Sequence, residues 1–120
     1  MAATTELSEK IDRYLRRARA RIEALPRVEQ RWTASETSVA PDQQRVDRND
    51  FRYEWGDSMD RLAWLDEAYE RQAMSDEQAA RYAVLLPVIR SGLPIIERLG
   101  LDLPPEAVLK RLSADDRLAG

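Results

Sequence analysis

No cysteine and no histidine occurs anywhere in the 120 residues. The first absence excludes disulfides and thiolate chemistry, and it suits an intracellular, cytoplasmic setting. The second removes the usual general base near neutral pH and the commonest metal ligand. Aromatics are sparse, with a single phenylalanine, so aliphatic side chains and alanine must supply most of the packing. Long apolar runs are missing too. The longest stretch without a polar residue is the seven from Ala83 to Ile89, too short for a bilayer, and MAATTELSEK has no apolar signal core. Neither a secretory signal nor a membrane span is expected.

Charge, by contrast, is plentiful: 34% of the residues are ionised, for a net charge of −3. Arginine outnumbers lysine 17 to 2, a usage that suits a GC-rich bacterial genome. Residues 1–32 carry 8 basic and 5 acidic side chains, and residues 33–120 carry 11 and 17. So mixed a surface keeps a domain soluble and sets up no strong field towards nucleic acid or lipid.

The chain is organised around Ser75 to Leu101, SDEQAARYAVLLPVIRSGLPIIERLGL. Ser75 and Gln78 have the spacing of a capping box, with Met74 and Ala79 placed as a hydrophobic staple. Asp76 and Glu77 suit the positive end of the helix dipole. Gly100 can take the left-handed conformation that closes a helix and folds Leu101 back onto Ile96. At 100° per residue, Tyr82, Leu85, Ile89, Leu93 and Ile96 share one face. Val84, Val88 and Ile95 form a second stripe, which implies a second neighbour. Pro87 and Pro94 fall on the side away from Ile89, where freed carbonyls meet water, so one bent helix is expected.

Ahead of it, Leu7, Ile11, Tyr14, Leu15, Ala18, Ile22 and Leu25 recur at helical steps, and the pattern passes Pro26 to reach Trp32. A first helix over 5–32, kinked at Pro26, follows. Its back carries Arg13, Arg16, Arg17, Arg27 and Arg31, readable as a phosphate ridge or as a solvated face supported by pairs such as Glu9 with Arg13. The solvated face is the stronger reading, because no aromatic is placed to stack on bases. Residues 33–50, TASETSVAPDQQRVDRND, read as a flexible linker. Phe51, Tyr53 and Trp55 read as an extended segment whose rings are buried, Asp57 as the cap of a second helix to about Ala73. Trp64 lies off that helix's apolar stripe, covered either by its own chain or by another molecule. A short helix is expected at 105–112 after Pro104-Pro105, then a frayed tail over 113–120.

One domain over 1–120 is thus expected, all-α: a small antiparallel bundle of three main helices plus a short C-terminal helix. Asp57, Asp60, Asp66, Glu67 and Glu70 are the carboxylates a Mg²⁺-dependent helical hydrolase would use. The central helix, however, offers no acidic residue between Glu77 and Glu97 to converge with them. No nucleophile with an adjacent base, phosphate loop or cofactor fingerprint is present. The expectation is a non-enzymatic protein-interaction module without metal or cofactor, a homodimer or a binder of a protein partner. Trp64, Val28, Trp32, Val84, Val88 and Ile95 are its candidate contacts. A nucleic-acid-associated accessory protein using the arginine ridge is the alternative.

Overall fold

The computed structural model describes the backbone of residues 2–119 and the side chains of residues 5–114. Every regular element among them is a helix: α1 (Ala2–Glu23), α2 (Leu25–Ser38), α3 (Pro41–Glu70), α4 (Asp76–Arg98) and α5 (Glu106–Ala119). They form a slab of 52 × 41 × 19 Å, its thickness close to two helix diameters. The radius of gyration, 16.2 Å, exceeds the value of about 14 Å for a compact chain of this length.

α4 is punctuated by its local chemistry. The Ser75 hydroxyl accepts from Gln78 N at 3.1 Å, and Gln78 Oε1 accepts from Ser75 N at 3.0 Å, a reciprocal capping box. The amide nitrogen of the same Gln78 donates to the Ser8 carbonyl and the Asp12 carboxylate, both at 3.0 Å, tying the start of α4 to α1. At the other end Gly100 has φ +67°. Leu101 N then donates to Ile96 O at 3.0 Å, and Gly100 N to Glu97 O at 3.1 Å, the paired bonds of a Schellman closure. The helix runs unbroken through both prolines, which sit exposed, while Tyr82, Leu85, Leu86, Ile89 and Ile96 are buried.

α1 and α2 are nearly one helix. The break falls at Ala24, with Pro26 in the first turn of α2, where its missing N–H costs nothing. Ile11, Leu15, Ile22, Leu25 and Val28 continue one buried stripe across it. Opposite the break stands Gly92 of α4. A Cβ there would lie 3.1 Å from Leu25 Cδ1 and 3.2 Å from Ile22 Cγ2, so glycine permits the close approach.

The expectation of a flexible linker over 33–50 is corrected. Residues 33–38 finish α2, and residues 41–50 open α3, leaving Val39 and Ala40 as the connection. Pro41 biases Ala40 towards extended backbone (ψ 141°), ending one helix, and itself starts the next. The polar side chains satisfy the helices instead of breaking them. Thr33, Ser35 and Ser38 donate to carbonyls of the preceding turn. Gln44 Nε2 reaches Ser35 O at 2.7 Å and Val39 O at 2.6 Å, and Arg48 donates to Trp32 O at 3.0 Å.

Because α3 starts at Pro41, Asp57 is an interior residue and caps nothing, and Phe51, Tyr53 and Trp55 are helical. Trp55 is fully buried, Phe51 half-buried and Tyr53 76% exposed, so the expected burial holds for Trp55, holds in part for Phe51 and fails for Tyr53. The expected helix over 105–112 extends to Ala119; the backbone over 113–119 is helical, whereas the side chains beyond 114 and Gly120 itself lie outside the described residues.

Contacts place the elements. Lys10 and Tyr14 meet Trp64, Arg21 meets Glu54 and Trp32 meets Phe51, so α1 with α2 runs against α3 in the opposite sense. Ser8 meets Gln78, Leu25 meets Gly92 and Glu29 meets Arg98, so the same pair runs alongside α4. α5 bridges α3 and α4.

Candidate functional site

Three features carry the chemistry of this chain: a buried ionic cluster, a cleft, and the outer face of α4.

In the cluster, Asp66 of α3 is 2% exposed. The Tyr82 hydroxyl of α4 donates to its Oδ1 at 2.5 Å, and Arg111 of α5 donates to Oδ1 at 2.8 Å and to Oδ2 at 3.3 Å. Arg111 also holds Glu70 and lies over the Tyr69 ring, 4.7 Å from its centroid. Three helices thus meet on one carboxylate. Burial, reinforced by the hydrogen bond to Asp66, pushes the Tyr82 phenol well above the usual tyrosine range. The hydrogen bond to Asp66, against the opposing effect of burial, raises Arg111 further still.

A raised phenol stabilises the fold fully below the unfolded tyrosine value and loses that contribution as pH rises above it. Stability should therefore decline from about pH 10 upward. Tyr82→Phe should flatten that limb of a urea-denaturation series against pH. An unchanged limb in the variant would assign the alkaline loss to other groups.

Of the five carboxylates considered for metal, three are engaged by arginine, while Asp57 and Asp60 are exposed. Asp66 and Glu70 hold Arg111, and Glu67 holds Arg71. Among the described residues no three potential ligands converge.

The cleft, about 560 Å³, lies between α1 with α2 on one side and α3 on the other. Ala18, Ala24, Val28 and Phe51 give it apolar lining, and the small alanines beside the α1–α2 break leave the space. Arg17, Arg21, Arg31 and Arg61 also line it, against one acid, Glu54. Arg21 and Glu54 approach to 3.4 Å. Arg17 and Arg31 enter no ion pair among the described residues, and Arg61 makes only a cation–π contact with Tyr14 at 5.8 Å. Outside the cleft Arg19 pairs with Glu23, Arg81 with Asp12 and Glu77, and Arg98 with Glu29, whereas the exposed Arg13, Arg16 and Arg27 enter no ion pair among the described residues. What sets the cleft apart is that its cations converge on one apolar recess.

The outer face of α4 is different in kind. Ala80, Val84, Pro87, Ser91 and Pro94 are exposed, with Val88 and Ile95 half-buried beside them. None of these seven residues is charged; Arg81, paired with Asp12 and Glu77, borders the face beside Val88. α4 is the one described helix long and apolar enough to cross a membrane by composition, with 33% of its most apolar window buried. Its inner face belongs to the core.

These positions revise the sequence expectations. Val28 is 2% exposed and belongs to the core, so it is unavailable to a partner. Trp64 is half-buried by its own chain, edge-on to Tyr14 at 5.3 Å and beneath Lys10 Nζ at 4.5 Å. Trp32 is half-buried, edge-on to Phe51, with Arg48 and Arg52 over its ring. Val84, 51% exposed, is the one fully open member of the six. Of the arginine ridge, Arg17 and Arg31 reach the cleft, while Arg13, Arg16 and Arg27 are exposed outside it; the Glu9–Arg13 pair does not form. Arg21, four residues on from Arg17, could have been read from helical spacing, whereas Arg61 arrives from a different helix and no spacing within α1 could show it. No protein-family model, curated protein or solved structure matches the chain.

Proposed function

We propose that the chain is a non-enzymatic helical interaction module that self-associates, or takes a protein partner, through the outer face of α4. The observation that carries this reading is the face formed by Ala80, Val84, Pro87, Val88, Ser91, Pro94 and Ile95, none of them charged, about 23 Å long at 1.5 Å per residue, in a chain otherwise rich in charge. Patches of this kind on a small domain mark contact sites. The missing histidine and cysteine, and carboxylates already held by arginine, favour binding over catalysis. We read the architecture as an antiparallel bundle of three rods: α1 with α2, then α3, then α4, with α5 as the short fourth element.

Two-fold pairing suits the face. With the axis at Pro87–Val88, Ala80 of one copy stands opposite Ile95 of the other, and Glu77 opposite Arg98. Sedimentation equilibrium should give twice 13.8 kDa at tens of micromolar. Val84→Glu puts a charge on an already exposed position, so it should weaken association by at least about tenfold without unfolding the chain. A wild-type mass of 13.8 kDa across that range would reject self-association.

A further inference from the structure

We infer that the cleft between α1–α2 and α3 is a docking site for an acidic amphipathic helix of another protein. The inference rests on the interaction-module reading but uses a second surface. The unpaired cations carry it first. This chain is net negative, yet Arg17, Arg31 and Arg61 stand at one apolar cleft with no acid among the described residues to neutralise them, and Glu54 alone answers Arg21. A ligand that brings carboxylates to the rim gains charge-assisted hydrogen bonds that the free protein lacks.

Shape narrows the ligand. Along α3 the cleft runs from Phe51 to Arg61, about 15 Å or three helical turns. That length matches a helix presenting apolar anchors at i, i+3 or i+4, and i+7. Its volume of 560 Å³ admits several such side chains, and the half-buried Ala18, Ala24 and Phe51 give them an apolar floor.

Nucleic acid suits the site less well. Single-stranded binding relies on open ring faces for stacking. Here Tyr14 is engaged by Trp64 and Arg61, and Phe51 lies between Trp32 and Trp55, 5.7 and 6.3 Å from their centroids. A duplex is too broad for a channel between two adjacent helices.

Selection from a displayed library of 18-residue helical peptides, with the full chain as bait, tests this. Enriched peptides should be net acidic with apolar residues at helical spacing, and their binding by fluorescence anisotropy should weaken as salt is raised. Arg17→Glu with Arg31→Glu, both exposed, should cost at least about tenfold in affinity; Arg13→Glu with Arg16→Glu, the same charge change outside the cleft, should cost less than about threefold. No enrichment, enrichment of neutral or basic peptides, or equal losses in the two variants would overturn the proposal. So would tighter binding of a single-stranded RNA or of oleate than of the best peptide. None of these outcomes bears on the sedimentation result, so the α4 reading stands or falls separately.

Discussion

Asp66→Ala should lower the stability of the fold by about 3–5 kcal/mol, the usual cost of removing one member of a buried ion pair. The carboxylate is 2% exposed and receives both the Tyr82 hydroxyl and the Arg111 guanidinium. Without it, a buried phenol loses its acceptor, and a cation 21% exposed keeps only Glu70 at the surface. Domains of this size have about 5–15 kcal/mol in total, so the variant would sit near the edge of folding. Asp66→Asn should lose less, because an amide oxygen still accepts from Tyr82. Urea denaturation of the three proteins measures both differences. A loss below about 1 kcal/mol in the alanine variant would mean that the cluster joins the three helices without stabilising them.

Trp55→Ala should be comparably damaging, at about 3–5 kcal/mol. Trp55 is fully buried and stacks on Phe51, and its Nε1 donates to the Asp102 carbonyl at 2.8 Å. That bond crosses from the middle of α3 to the segment joining α4 and α5, where Leu101 and Pro104 are buried. Trp55→Phe separates the two contributions. It keeps an aromatic ring and strips the donor, for an expected loss of about 1–3 kcal/mol. If alanine and phenylalanine cost the same, the hydrogen bond and not the ring volume anchors the connection.

Features set by neighbours along the chain are legible in the sequence itself. Ser75 with Gln78, and Gly100 with Leu101, act over three to five residues, and the capping box and Schellman closure form where their spacing places them. The buried stripe Ile11, Leu15, Ile22, Leu25 is read directly from its period. The helices over 33–50 are not legible in that way. Their polar side chains give no apolar period, and the bonds that hold them, Gln44 to Ser35 and Arg48 to Trp32, span 9 and 16 residues. Trp64 resists a local reading for the same kind of reason, since the Tyr14 ring that covers it comes from α1. The cleft has its arginines on three helices, so only the fold assembles them.

The alignment of α1 with α4 sets an order of events during synthesis. Gln78 meets Ser8 across 70 residues, and Arg98 meets Glu29 across 69. The first of those loops cannot close until the start of α4 has left the ribosome and the second until its last turn has, whereas Gln44 can reach Ser35 as soon as the turn between them emerges. Closure of so long a loop carries an entropic cost before any contact rewards it. With α2 and α3 already emerged and able to pair, the side of the α1 apolar stripe that faces α4 still lacks its cover. Crowding α1 with acid and arginine on its other faces is one way to keep that waiting segment in solution.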